Sequence, residues 1–383
     1  MTSGGMSRKE LGVGLIGYGA MGKAHAYAHT VAPAMRELPV KPRLRIISGR
    51  HRDLVESAAH RLGVDEATTE WRSVVDHPDV DVVDICTPPG THAEIVEAAA
   101  RAGKAVICEK PLSVSLAAAR AAVAAVESAG VLNTIGFNYR HLPAVSLMRD
   151  MVAAGEIGDV LLWRGQWLSD EFLDPHIPFD WRFDPLMGGS TIADLGSHLI
   201  DLAHWMIGPV ERVTAQSATF TRQRAGAGSE SERGSVPVTV DEASSALMVF
   251  SGGARGTFEV SRTCARRPCD FTLEVNGTAG TLRFDYARLN ELTFGQVSDP
   301  ERLYGMRTIR AEHVTHPYAA DWWAIGQGVG YGASFVNYFA DLYQAWPTGP
   351  WVHGLREGLE VQRVCDAMER SAATGAWVDV GAA

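Results

Sequence analysis

Val13-Gly14-Leu15-Ile16-Gly17-Tyr18-Gly19-Ala20-Met21-Gly22 is the stretch that decides how the chain begins to fold. Four apolar residues read as a short buried strand, and the glycines that follow have the G-x-G-x-x-G spacing that opens a helix. Gly17 allows a tight turn, Gly19 lets a phosphate approach the backbone, and Gly22 lets helix and strand pack closely. The spacing predicts a strand, a turn and a helix whose N-terminus accepts a dinucleotide pyrophosphate, with Tyr18, Ala20 and Met21 in the same loop.

Further strand-like runs lie at residues 44–47, 80–85 and 105–107. Ala-rich helical stretches at 92–102 and 116–129 stop at Gly103 and Gly130, where a left-handed residue ends a helix. Aliphatic strands alternating with helices predict a parallel sheet buried on both faces. After Asn138 the pattern changes to alternating runs at 160–168, 246–250, 256–261, 271–275 and 280–284, with Ser251-Gly252-Gly253 and Asn276-Gly277 as turns. The expected fold is α/β: an N-terminal Rossmann domain over residues 1–136, then an α+β domain over 137–383 with a large, mostly antiparallel open sheet. Residues 223–238 are rich in Gly, Ser and charge and are expected to form a long mobile excursion, a plain loop in preference to a lid.

The chain has 383 residues, 46% of them hydrophobic, enough for two cores, and a net charge of -10 that argues against nucleic-acid binding. Five cysteines, with Cys86 and Cys108 inside apolar runs, suit reduced thiols better than disulfides, and Cys264 and Cys269 lack the companions of a metal site, so no metal is expected. The polar N-terminus is unlike a signal peptide, and no apolar run approaches the ~18 residues of a membrane span. A cytoplasmic protein is expected.

Ligands of open α/β sheets bind at the carboxyl ends of the strands. Thr87-Pro88-Pro89-Gly90-Thr91-His92 and Glu109-Lys110-Pro111 both fall there. Thr87, Pro88, His92, Glu109 and Lys110 therefore join the glycines as candidates for a nicotinamide dinucleotide site. The end of the second strand reads Ser48-Gly49-Arg50-His51-Arg52, with no acid before Asp53 to accept a ribose hydroxyl. Arg50 fits a contact to a 2'-phosphate and equally a place on adenine or in solvent, so both NAD and NADP stay open.

The block Asp194-Leu195-Gly196-Ser197-His198-Leu199-Ile200-Asp201 puts Asp194, His198 and Asp201 on one helical face. Oxidation of an alcohol needs a base for the hydroxyl proton, and histidine has the pKa for it. His198 is the candidate base, Asp194 an orienting carboxylate, and Lys110 a polarising cation. Taken alone, such a pair reads as a structural contact, and Asp201 keeps that reading. Tyr139, which follows the last Rossmann-like strand, and Trp181 and Arg182 are candidate sugar contacts, the last two equally readable as core and surface residues.

These motifs resemble the Gfo/Idh/MocA oxidoreductases: the glycine loop, Glu109-Lys110-Pro111, Phe137-Asn138-Tyr139-Arg140 and the Asp194–Asp201 block occur in that family's order. The resemblance implies a Lys110, Asp194 and His198 catalytic set, oligomer contacts through the C-terminal sheet, and NAD(P)-dependent oxidation of a ring hydroxyl on a sugar or cyclitol. Trp181-Arg182-Phe183 and the stretch from His316 to Gly332 look most like the levoglucosan dehydrogenase and glycoside 3-dehydrogenase branch, which makes 3-keto sugars. Where that branch has aromatic-Leu-Gln-Asp-Trp, this chain has Trp167-Leu168-Ser169-Asp170-Glu171, so a stacking ring and an amide are exchanged and the accepted sugar is expected to differ. Substrate contacts implied are Lys110, Tyr139, Arg140, Trp167, Asp170, Trp181, Arg182, Asp194 and His198. Inositol dehydrogenation, a redox-neutral NAD-dependent glycosidase and a non-catalytic cofactor sensor are the alternatives.

Overall fold

In the computed structural model, which describes residues 9–226 and 234–381, the opening strand β1 (Lys9–Ile16) runs straight into the glycine turn and helix α1 (Ala20–Met35). There follow β2 (Val40–Ser48), α2 (Arg52–Leu62), β3 (Glu66–Thr68), α3 (Trp71–Val75), β4 (Val82–Ile85), α4 (His92–Arg101), β5 (Ala105–Cys108), α5 (Leu116–Ala129) and β6 (Asn133–Ile135). The six strands form one parallel sheet in the order β3-β2-β1-β4-β5-β6. Chain direction across the sheet reverses between β1 and β4, the crevice where open α/β sheets bind ligands. Val13, Leu15, Val82, Val83, Val106 and Ile107 are wholly buried, as strands covered on both faces require.

The second half contributes α6 (Pro143–Ala153), β7 (Val160–Leu168), a π-helical turn at Ile192–Gly196 leading into α7 (Ser197–Met206), and β8 (Val210–Ala218). Then come β9 (Gln223–Ala225), β10 (Ser235–Pro237), β11 (Ala243–Phe250), β12 (Arg255–Ser261), β13 (Asp270–Gly277), β14 (Gly280–Asp285), β15 (Glu291–Gln296) and β16 (Arg307–Arg310). Helices α8 (Gly332–Gln344) and α9 (Leu355–Thr374) and the short β17 (Val378–Asp379) complete the chain. Nine strands join in the order β16-β15-β14-β13-β7-β12-β11-β8-β17, antiparallel except for β12 with β7. Burial alternates along β12 and β13, so one sheet face is apolar and the other polar.

Two expectations are corrected. The chain separates into one compact unit of residues 1–112, 117–141 and 331–357 and a second of 113–116, 142–330 and 358–383. Residues 331–357, placed by sequence in the C-terminal domain, thus belong with the Rossmann sheet: Phe339 of α8 lies edge-on to His25 and His29 of α1, and Arg36 pairs with Asp341 at 2.6 Å. Residues 223–238 are not a plain excursion at their ends, because β9 and β10 pair as an antiparallel hairpin and Arg224 is buried; residues 227–233 lie outside the described residues. All five cysteines are unpaired, and among the described residues no helix is long and apolar enough to cross a membrane.

Candidate active site

At the end of β1, Gly17 takes φ +109°, and a Cβ there would lie 2.6 Å from the carbonyl oxygen of Cys86. A Cβ on Gly22 would meet the Gly17 carbonyl at 2.1 Å, so helix and strand approach as only glycine permits. Gly19 differs: its φ of -69° suits any residue, yet a Cβ there meets nothing within 4 Å. It is the N-cap of α1, with no side-chain cap and no acid in the first turn. Backbone N–H groups and the positive end of the helix dipole therefore border open space, a cradle that fits a pyrophosphate. The Tyr18 ring lies against Gly49, where a Cβ would come within 2.0 Å of it. Arg50 is exposed just after β2, open to solvent or to the far end of a dinucleotide.

Thr87 and Pro88 follow β4, and Lys110 follows β5, on the same edge of the sheet. His92 is fully buried, with Nδ1 2.9 Å from the Pro111 carbonyl and Nε2 2.7 Å from that of Thr87. Burial holds its pKa below the ordinary histidine range, so the neutral ring donates to one of these two carbonyls and is an interior side chain rather than one reaching toward a ligand. Glu109 is likewise internal: its carboxylate accepts the Lys110 backbone N–H at 3.1 Å and faces His25 Nε2 at 3.0 Å. The other nitrogen of His25 lies 2.9 Å from Asp84, whose second oxygen is 2.8 Å from His29 Nε2. His29 also meets the Tyr343 hydroxyl. Desolvation opposes charge on His25, but the Asp84 carboxylate outweighs it and raises its pKa well above normal, while that of Asp84 is lowered. A buried imidazolium between two carboxylates thus fixes the strand end that carries Lys110.

In the second unit, Asp194 lies in the π-helical turn and His198 in the first turn of α7. The regular α-helical face expected from their spacing is replaced by this wider turn, a device common at functional sites. Asp241 caps it, accepting N–H bonds from Thr191 and Ile192 at 3.1 and 3.0 Å, and Gly196 is needed because a Cβ would lie 2.6 Å from the Phe258 ring. Asp194 is paired with Arg262, which is 2% exposed against 18% for the carboxylate, so the cation is interior and the acid reachable. His198 is buried with its ring 5.6 Å from that of Trp167, and Asp201 is buried on α7. Trp167 also packs on Phe271.

Asp170 is half-buried just after β7. Trp181 and Arg182 are neither core nor bare surface: the guanidinium lies 4.4 Å from the indole centroid and pairs with Asp180 at 3.6 Å and Glu171 at 4.0 Å. In the first unit Tyr139 is buried with its ring 5.9 Å from Tyr331, and burial, with a smaller contribution from the buried Arg140, lowers the pKa of His141 and His353. Each unit therefore gathers its own candidates: the glycine loop, Thr87 and Lys110 in one, and Asp194, His198, Trp167, Asp170, Trp181 and Arg182 in the other. Reading by sequence passed over Arg262, Arg224, Glu242 and His25. His25 was the most legible, standing three residues after Gly22 on the buried face of α1.

Residues 11–137 match the model of an oxidoreductase family with an NAD-binding Rossmann fold, and residues 145–283 the GFO/IDH/MocA C-terminal domain. Levoglucosan dehydrogenase of Pseudarthrobacter phenanthrenivorans is 37% identical over 97% of this chain and 98% of its own length. A levoglucosan dehydrogenase structure in complex with NADH and levoglucosan superposes with a TM-score of 0.93 at 37% identity, covering 97% of this chain and all (100%) of that one. Inositol 2-dehydrogenase of Rhizobium meliloti is 29% identical over 72% of this chain and 76% of its own. With both domain models matched in order and a relative matched end to end, the chain belongs to the Gfo/Idh/MocA oxidoreductases, a family of NAD-dependent sugar and cyclitol dehydrogenases.

Proposed function

We propose that this protein oxidises a secondary ring hydroxyl, at C3, of a pyranose glycoside or an anhydrosugar such as levoglucosan to the 3-keto sugar. The observation that carries the reading is the end-to-end likeness to levoglucosan dehydrogenase at 37% identity, beside the Lys110, Asp194 and His198 set that the family resemblance implies. NAD or NADP, when bound, supplies the hydride acceptor. Gly17, Gly19 and Gly22 admit its pyrophosphate, with Tyr18, Ala20, Met21, Thr87 and Pro88 around it, and Arg50 lies toward the adenosine end.

His198 takes the hydroxyl proton. Its ring lies 5.6 Å from that of Trp167 at a tilt of 32°, a contact that limits its rotation. Lys110 polarises the reacting oxygen, its backbone held by Glu109. Asp194 orients: a carboxylate paired with a buried guanidinium stays an acceptor, so it takes a hydrogen bond from a hydroxyl or an imidazole N–H rather than competing as base. Asp170, Trp181 and Arg182 contact the sugar, with the indole suited to its C–H face, and Tyr139 and Arg140 are the candidate sugar contacts of the first unit.

The test is reduced-nicotinamide absorbance with levoglucosan, methyl glucosides and myo-inositol, each with NAD and NADP. A rise with an anhydrosugar or glucoside whose product is the 3-ketone supports the reading. Turnover of myo-inositol alone replaces it with cyclitol oxidation, and sugar release without net reduction replaces it with redox-neutral glycoside cleavage. We further propose that the polar face of the nine-stranded sheet, where Arg164 pairs with Glu274 and Gln166 with Glu259, meets a second copy of the chain, and that the protein works in the cytoplasm. Light scattering of the purified protein checks the oligomer.

A further inference from the structure

Residues 169–183 carry Asp170, Trp181 and Arg182 but contain no strand or α-helix, only a short 3-10 turn at Trp181–Phe183. Their backbone closes on a single guanidinium instead. Arg224, on the β9 hairpin, donates from Nη1 to the carbonyls of Asp174 at 2.9 Å and Ile177 at 3.2 Å, and from Nη2 to that of Phe172 at 2.8 Å. Nη2 also reaches Glu242 Oε1 at 3.2 Å, while Glu242 Oε2 accepts the backbone N–H groups of Phe220 and Thr221, each at 2.7 Å. The guanidinium carbon lies 4.2 Å from the centroid of the Phe183 ring, and Phe172, Phe183, Val238 and Val240 pack around the pair with Ile177 and Phe179. Arg224 and Glu242 are each 1% exposed.

A buried ion pair is a poor source of stability, since desolvation offsets much of its attraction. Geometry is what this one supplies. A planar fork of donors can hold several carbonyls from one loop in a fixed arrangement, which the point charge of a lysine does less well. The loop is also clasped on its other side, where Phe172 N–H donates to the Arg262 carbonyl at 3.0 Å and Arg262 N–H to that of Glu242 at 2.9 Å. Asp194's partner and the loop thus share one anchor.

We propose that Arg224 is a specificity-positioning residue: from behind the loop it fixes the wall bearing Asp170, Trp181 and Arg182, and so sets which sugar is accepted while touching neither sugar nor cofactor. The inference rests on the reading above that this wall contacts the sugar. The experiment compares Arg224→Lys, the double variant Arg224→Met with Glu242→Gln, and Asp170→Asn. Hydrogen exchange over residues 172–179 of the unliganded protein is measured first, then KM and kcat for levoglucosan and methyl glucosides, and KM for the cofactor. Arg224→Lys is expected to speed loop exchange, raise sugar KM about tenfold, leave kcat within about twofold and cofactor KM unchanged, and flatten the preference among sugars. If the lysine variant fails to fold, the charge-free double variant gives the same readouts. A loosened loop with unchanged KM and preference overturns the inference, as does unchanged exchange. Should Asp170→Asn leave sugar KM unaltered, the wall assignment itself falls; should it raise KM where Arg224→Lys does not, only the role of Arg224 falls.

Discussion

Replacing Gly19 by alanine separates cofactor binding from folding. The added methyl meets no protein atom within 4 Å, and the backbone at φ -69° accepts it without strain. Alanine is a poorer N-cap than glycine by up to about 1 kcal/mol. Stiffening the unfolded chain returns roughly 0.4–1 kcal/mol, so the net effect on stability is near zero. The methyl nevertheless occupies the space through which a phosphate would reach the first N–H groups of α1. Losing one such charge-assisted hydrogen bond removes about 1.5–3 kcal/mol, roughly 10- to 100-fold in affinity. Gly22→Ala is the converse, because its Cβ would sit 2.1 Å from a backbone oxygen that moves only with the strand end. Overpacking of that kind costs about 1–3 kcal/mol and lowers Tm by several degrees. Thermal melts of both unliganded variants, with NADH titrations followed by calorimetry, give the comparison. Unaltered NADH affinity in Gly19→Ala would show that no phosphate passes over this glycine and refute the reasoning. Unaltered Tm in Gly22→Ala would refute its packing half.

Arg262→Met leaves the Asp194 carboxylate without its guanidinium, and kcat/KM is expected to fall at least tenfold with cofactor affinity kept; equal kcat/KM would exclude the pair from the mechanism. Lys110→Ala and His198→Ala should each lose turnover by orders of magnitude while still binding NADH, and a near-normal rate in a stopped assay removes that residue from the catalytic set. Stability should fall on both sides of neutrality. His25 carries a raised pKa, so its contribution is full below about 6.5 and is lost as pH climbs through the raised value. His29, His92, His141 and His353 carry lowered values, so stability declines as pH falls below about 6.5, and melts between pH 5 and 9 that show no acid limb would contradict their burial as neutral rings.

The parallel sheet was legible because apolar β1 and the glycine spacing state local requirements that no other residues meet so well, and the helix stops at Gly103 and Gly130 take φ +69° and +64° as expected. The destination of α8 was not. Its apolar face shows that it is buried but not against which neighbour, and Phe339 and Tyr343 reach α1 across some 300 residues of sequence that no short-range pattern spans. Arg224 was hidden for a different reason. A segment rich in Gly, Ser and charge reads as solvated on average, and only the tertiary position of Glu242 and three carbonyls makes one of its cations internal. Asp194 and His198 were candidates from a spacing that implies one regular helical face, and the π-helical turn that carries Asp194 was not legible in it.

The return of residues 331–357 to the first unit has a consequence for biosynthesis. A ribosome that has delivered the nucleotide-binding strands and all of β7 to β16 has still not supplied the helix that covers His25 and His29. The nascent Rossmann half therefore waits, with a polar network and an apolar groove uncovered, until nearly the whole message is translated. For the same reason, cutting the gene after codon 136 amputates part of that half, and a dissection that keeps it whole would graft 331–357 back onto 1–141 by circular permutation or a designed linker.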